Sequence, residues 1–241
     1  KLKEIKKFSD LASFAFFCRK NNLLRLKNLY KDHIDKRNGR GLALHFTPSN
    51  VPLNFAYSLF FSLISGNVSL IRIGKNNYEQ SKLFLKVLNK LMRKNEFKLL
   101  SKKISILNYE KNLEITDYLS KICEIRIIWG GDNSINEVRK SKLSPGAYEI
   151  TFPNRHSICI ISSKDYIRLK NYDIDALNFY NDTLTFDQNA CTAPRLIAWL
   201  GSEKVNKIAR KFFWESFDKI LNKKKYKSRH ATQIQKMKSQ Y

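Results

Sequence analysis

No two of the four cysteines in this sequence are neighbours: Cys18, Cys123, Cys159 and Cys191 lie far apart, with no Cys-x-x-Cys pair. The usual zinc sites then have no ligand set, and scattered single thiols supply no disulfide framework. No metal is expected, and a reducing cytoplasm is the natural setting. Cys18, Cys123 and Cys159 sit among apolar residues and read as small core residues. Long hydrophobic runs are missing too. The most apolar stretch, VPLNFAYSLFFSLISG, is interrupted by Asn54, Ser58 and Ser62. It falls short of the roughly 20 residues a spanning helix needs, so no transmembrane segment is expected. No signal peptide and no internal repeat is visible. The first residue is Lys1 rather than methionine, and we expect a chain whose natural start is missing.

Acidic residues are the other shortage: 21 Asp and Glu face 45 Lys and Arg, a formal charge of +24. Clustered cations displace counterions from phosphate backbones, which makes a basic nucleic-acid-binding module one reading. Here the cations are spread along the whole chain, and Lys outnumbers Arg, the better reader of phosphates and bases. Specific nucleic-acid binding is therefore not expected. A basic surface still favours an anionic ligand such as a nucleotide or a coenzyme A thioester.

At 241 residues the chain is long enough for one large domain or two small ones. Two kinds of segment alternate along it. SDLASFAFFCRK reads as a helix with Ser9 at its N-cap, and GLALHFT (41–47) as a strand. A helix follows from Pro52 to Ser65 and stops at Gly66, then come strand NVSLIRI (67–73) and helix Tyr78–Lys94. The beat repeats with KISILNY, ITDYLSKI, IRIIWGG and NSINEVRKS. Continuous apolar strands alternating with helices predict an α/β fold, a Rossmann-type parallel sheet covered on both faces. Ligands of such sheets sit in the loops at the carboxyl ends of the strands, here TPSN, IGKNN and WGGDNS.

Past residue 150 the texture changes. AYEITF and HSICIIS read as strands flanking PNR, followed by a helical DIDALNFYNDTLTFDQ, the loop around Cys191, strand RLIAWLG and helix SEKVNKIARKFFWESFDKIL. We expect a nucleotide-binding domain over 1–153 and an incomplete α/β catalytic domain over 154–241 that carries the cysteine loop. The tail from Asn222 to Tyr241 is basic and reads as either exposed or the start of something absent.

HFTPSNVPLNFAYSLFFSLISGNVSLIRI resembles a signature of the aldehyde dehydrogenase superfamily, in which a Pro-x-Asn-x-Pro turn opens a helix ending at Gly-Asn. Here the turn is Pro48 to Pro52 and the helix ends at Gly66-Asn67. WGGD, PNRHS and NACTAPR are similar to the long-chain acyl-CoA reductase branch, the fatty-acid reductases of bacterial bioluminescence. The resemblance runs from about Gly41 to Arg195.

That resemblance implies NADPH-dependent reduction of a long-chain acyl-CoA, or of an acyl-protein thioester, to the aldehyde through an acyl-cysteine at Cys191. Oxidation of an aldehyde with NAD(P) is the alternative. It implies Asn50 and the Cys191 backbone N–H as donors to the oxyanion. Asn50 by its residue type also reads as a helix N-cap, and Cys191 by itself as a buried inert thiol. A dyad with His45 or His156 would supply a base for Cys191 through the fold. Arg72 is implied at the adenosine ribose or its 2′-phosphate, and equally reads as a surface arginine at a strand end. Thr47, Pro48, Ser49, Gly74, Gly130, Gly131, Asp132 and Asn133 would line the rest of the cofactor site. A homo-oligomer or an acyl-transferring partner protein is the partner class implied. Members that oxidise aldehydes carry a glutamate that activates water; the alignment puts Phe152 there, with Glu149 three residues away. An apolar residue at that position protects a thioester from hydrolysis.

Overall fold

β-branched and aliphatic side chains fit a pleated surface buried on both sides, and the short apolar runs become strands on that account. The structure, a computed structural model, describes residues 8–48, 51–74 and 78–227, without the side chain of Ile34. The chain divides into two compact units, Lys1–Asn154 and Arg155–Tyr241.

In the first unit α1 (Ser9–Phe17), α2 (Lys20–Leu29) and α3 (Lys31–Ile34) precede the alternating part. There β1 (Leu42–Phe46), α4 (Asn54–Ile64), β2 (Val68–Arg72), α5 (Glu79–Met92) and α6 (Lys98–Ser101) come first. They are followed by β3 (Ile104–Leu107), α7 (Leu113–Ile122), β4 (Ile125–Trp129), α8 (Asp132–Arg139) and β5 (Tyr148–Phe152). Among the described residues these strands form one parallel sheet in the order β3-β2-β1-β4-β5. Alternate residues of each strand point to opposite faces. Ile71 therefore packs with Leu11, Leu53, Phe55 and Leu59, whereas Leu44, Phe46 and Ile128 pack with Leu119, Cys123 and Ile135.

Several polar side chains are buried within this unit, among them Arg126 and His45. Arg126, with 4% of its side chain exposed, donates to Glu149 through Nε and Nη2, and through Nη1 to Ser120 Oγ and the Ser141 carbonyl. Arg139 reaches the other Glu149 oxygen at 2.7 Å. Burial pushes the Glu149 carboxyl up, but the bonds and charges of Arg139 and Arg126 outweigh it and hold the group below the ordinary glutamate range. On the α4 side of the sheet Trp129 Nε1 donates to Ser58 Oγ at 3.1 Å, and Ser58 Oγ lies 2.7 Å from His45 Nδ1. The Ser58 hydroxyl, which can accept two hydrogen bonds and donate one, therefore links the Trp129 indole to the His45 ring. His45 is fully buried, and burial lowers its pKa to about 4.

The second unit contains β6 (Ser157–Ser162), α9 (Ser163–Tyr166), α10 (Tyr172–Leu184), β7 (Pro194–Leu200) and α11 (Glu203–Lys224). β6 and β7 pair in parallel, with a register shift at Ser157/Ile158. One face of the pair rests on an aromatic core in which Tyr166 and Phe213 meet Ile161, Ile197 and Trp199. On the other face Ile158, Ile160, Leu196 and Leu200 are each 58–60% exposed.

Several local expectations are corrected. Phe8, not Ser9, is the N-cap of α1. The helix expected from Pro52 begins at Asn54, with Leu53 at its cap position; Asn50, the expected N-cap, lies outside the described residues. Leu53, at φ −108° and ψ 10°, lies outside the helical range, and the regular helix starts after it. Asn222 to Lys224 are exposed but extend α11, and the remainder of that tail past Lys227 lies outside the described residues. Helices α2, α3, α6 and α9 had no counterpart in the sequence reading; α2 and α6 bury no residue, so they carry no one-sided apolar stripe. Among the described residues no helix is long and apolar enough to cross a membrane.

Two acid-sensitive contributions to stability are expected. A Glu149→Gln variant leaves the Arg126 charge buried without its partner and loses about 3 kcal/mol at neutral pH, measured by urea denaturation. Because the folded Glu149 pKa is depressed, that contribution is present above the unfolded pKa and disappears as pH falls through the folded one. His45 is also depressed, so the unfolded chain binds its proton first. Stability falls by about 3 kcal/mol as pH drops from about 6.5 to about 4, and a His45→Gln variant flattens that part of the pH profile.

Candidate active site

The sheet order makes the connections diverge between β1 and β4: the chain runs outward from β1 through β2 to β3 on one side, and from β4 to β5 on the other. In open α/β sheets a crevice opens outside the carboxyl ends of the strands at such a point. The residues after β1 and β4 lie there. Thr47 is buried, and both its N–H and its hydroxyl bond the Arg72 carbonyl, at 3.4 and 3.1 Å, tying the end of β1 to the end of β2. Pro48 follows, half-buried, while Ser49 and Asn50 lie outside the described residues. Gly74, after β2, is buried, and Lys75 to Asn77 of that loop are also outside the described residues.

Arg72 sends Nη2 to the Tyr109 carbonyl at 3.2 Å and sets its guanidinium 5.5 Å from the Tyr109 ring centre. The arginine is therefore engaged by the loop after β3. After β4, Gly130 N–H bonds the Phe152 carbonyl at 3.2 Å, and Gly131 caps α8. A Cβ at Gly131 would come within 2.9 Å of Asn154 Nδ2, the end of a side chain that would have to move aside. Asp132 and Asn133 are exposed in the first turn of α8. The Asp132 carboxylate complements the helix dipole and opposes a phosphate at that spot.

These residues fit a nicotinamide dinucleotide in three respects: a diverging crevice, glycines at a helix start, and a cation at the end of β2. Asp132 is the misfit.

A further pair at the strand ends was not singled out as a unit from the sequence. Trp129 and Phe152 are register partners on β4 and β5, and their rings stack at 3.8 Å between centres and 10° between planes. The signal available was that each is the last residue of its strand. Glu149, the other candidate base, points to the opposite face and is held by two arginines.

In the second unit, Cys191 is exposed, in contrast to Cys123, which is buried, and Cys18 and Cys159, which are half-buried. Burial raises the pKa of those three thiols. Cys191 occupies a tight turn closed by the bond from Ala193 N–H to the Ala190 carbonyl, at 3.0 Å. Its own carbonyl accepts from Ser157 Oγ at 2.8 Å. The reading of Cys191 as a buried residue is thereby overturned: the turn lifts it clear of both apolar clusters of the unit. Of the two histidines considered as its base, His45 is buried, neutral and engaged by Ser58. His156 is exposed and directly precedes Ser157.

Solved structures of similar fold are aldehyde dehydrogenases. They include a succinic semialdehyde dehydrogenase from Streptococcus pyogenes in complex with NADP+ (14% identity, TM-score 0.53, 76% of this chain and 37% of that one). A NAD-dependent benzaldehyde dehydrogenase from Corynebacterium glutamicum matches with 13% identity and a TM-score of 0.54, over 74% of this chain and 36% of the other. PnpE from Pseudomonas sp. WBC-3 matches with 14% identity and a TM-score of 0.52, over 75% and 34%. The chain thus spans about a third of the length of these structures, and the likeness establishes the aldehyde-dehydrogenase fold. No curated protein sequence matches it. The acyl-CoA reductase (LuxC) family model covers residues 18–238, nearly the whole sequence, and the chain belongs to that family.

Proposed function

We propose that this chain serves the NADPH-dependent reduction of a long-chain fatty acyl thioester, acyl-CoA or acyl-protein, to the aldehyde, with Cys191 as nucleophile. The observation that carries the reading is the exposed Cys191 thiol, presented on a tight turn in a chain of this family.

In the first step the Cys191 sulfur attacks the thioester carbonyl. A new sulfur–acyl bond forms, the bond to the coenzyme sulfur breaks, and the thiol proton of Cys191 ends on the released coenzyme thiol. The Asn50 amide and the Cys191 N–H donate to the oxyanion that develops on the way. NADPH, when bound by Thr47, Pro48, Ser49, Arg72, Gly74, Gly130, Gly131 and Asn133, supplies the hydride that releases the aldehyde. The Asp132 carboxylate would repel a phosphate at the start of α8, so a 2′-phosphate would be held by Arg72.

The acyl-cysteine must survive until it is reduced. Phe152 provides no base to activate water, its ring being stacked on Trp129, and the Glu149 carboxylate is committed to Arg126 and Arg139. Both features favour reduction over hydrolysis, and so favour this reading over aldehyde oxidation.

Incubation with hexadecanoyl-CoA in the absence of cofactor is expected to leave an acyl adduct on Cys191, detected by peptide mass spectrometry. The adduct is absent from a Cys191→Ala variant and is discharged by NADPH with release of aldehyde; an adduct on another residue overturns the assignment. An Asn50→Ala variant acylates about 100-fold more slowly if its amide serves the oxyanion. Unchanged acylation in that variant removes Asn50 from the site.

A further inference from the structure

The backbone leading to Cys191 is strained in a way that the turn itself does not need. Among the described residues, the non-glycine positions with positive φ are Asp187 (54°), Gln188 (60°) and Lys225 (50°). Left-handed backbone is unfavourable for residues with a Cβ, and it persists where surrounding contacts impose it. All three positions flank one hydrogen bond, from the Tyr226 hydroxyl to Asp187 Oδ1.

The bond is built from both sides. Lys225 ends α11 in the left-handed conformation, and Tyr226 N–H returns to the Leu221 carbonyl at 3.1 Å, which folds the tyrosine back against Tyr180 of α10. At the end of α10, Asp187 N–H bonds the Leu184 carbonyl and Gln188 N–H bonds the Thr183 carbonyl, at 3.0 and 2.9 Å. Asn189 Nδ2 then donates to the carbonyls of Phe186 and Asp187. Two residues later the chain reaches Cys191, whose carbonyl is held by Ser157. The cysteine turn is thus pinned at its entrance by the end of α11 and at its centre by the start of β6.

We propose that Tyr226, Asp187 and Ser157 are positioning residues that hold the Cys191 turn in the orientation from which its sulfur attacks. The proposal rests on the reading of Cys191 as the nucleophile and adds how this chain presents it. Tyr226 and Ser157 touch backbone or Asp187, not the substrate; they act through the placement of the sulfur. Neither supplies or removes a proton at the thiol, so their loss slows attack without moving its pH dependence.

The test uses the full chain and three variants: Tyr226→Phe, which deletes only the hydroxyl; Ser157→Ala; and Ser157→Thr, which restores a hydroxyl. Hydrogen exchange at the amides of Asp187, Gln188 and Ala193, which needs no substrate, is expected to rise about tenfold in Tyr226→Phe, the response to losing one net hydrogen bond. The rate of Cys191 acylation by hexadecanoyl-CoA is expected to fall about tenfold in Tyr226→Phe and in Ser157→Ala, since small misplacements of a reacting group are costly. The midpoint of its pH profile stays in place, and Ser157→Thr recovers most of the rate. Variants that acylate at the parent rate, or a Ser157→Thr as slow as Ser157→Ala, overturn the proposal. Absence of any Cys191 adduct in the parent chain instead overturns the nucleophile reading, and the exchange data then report the clamp alone.

Discussion

The parallel pairing of β1 on both of its edges is the constraint on which the first unit depends. β2 pairs along one side and β4 along the other, in register from Ala43 to Phe46, so the middle of the sheet has no free backbone groups and no exposed face. A strand so enclosed is apolar apart from His45, and with the strand order β3-β2-β1-β4-β5 the connections after β1 and β4 leave in opposite directions. That divergence brings the loops after β1 and β4 side by side and opens the crevice between them. The one strongly polar residue placed inside β1, His45, is neutral and bonded to Ser58, which in turn anchors Trp129. A buried polar chain thereby fixes the aromatic residue that stacks on Phe152.

Charge is handled differently on the two faces of that sheet. Toward α7 and α8, Arg126 is buried with Glu149 and a set of carbonyls, a network in which each partner would be costly to leave alone. Toward α4 the polar chain of His45, Ser58 and Trp129 carries no charge. The same strand pair, β4 and β5, therefore contributes a saturated ionic cluster to one face and an aromatic stack to the other. Glu149 and Phe152 lie three positions apart on β5 and so on opposite faces, which separates this carboxylate from the stacked ring.

In the second unit the cysteine turn has a different character. Its thiol is exposed while its backbone is tied down: by Ser157 at the Cys191 carbonyl, by the Asn189 amide, and by Tyr226 at Asp187. An exposed side chain on an immobilised backbone is the combination a nucleophile uses, because the reacting atom stays accessible and the cost of orienting it is met by the fold.

Much of this was legible in the residues. The alternation of apolar strands with helices specified an α/β fold with a parallel sheet, since strand and helix periods differ and a two-sided apolar strand has only a buried solution. The Pro-x-Asn-x-Pro turn and the NACTAPR segment pointed to the acyl-CoA reductase family, and the family match agrees. Helix limits were less legible, because capping at Phe8 and Leu53 rests on backbone geometry and uses no capping side chain. The tertiary structure alone decided the rest: the stacking of Trp129 on Phe152, the burial of His45, the exposure of Cys191 and the bond from Tyr226 to Asp187. Each joins residues far apart in the chain or depends on which face of a strand is covered. Pattern along a sequence reports periodicity and local chemistry; which side chains meet is set only when the sheet order and the helix ends bring them to one place.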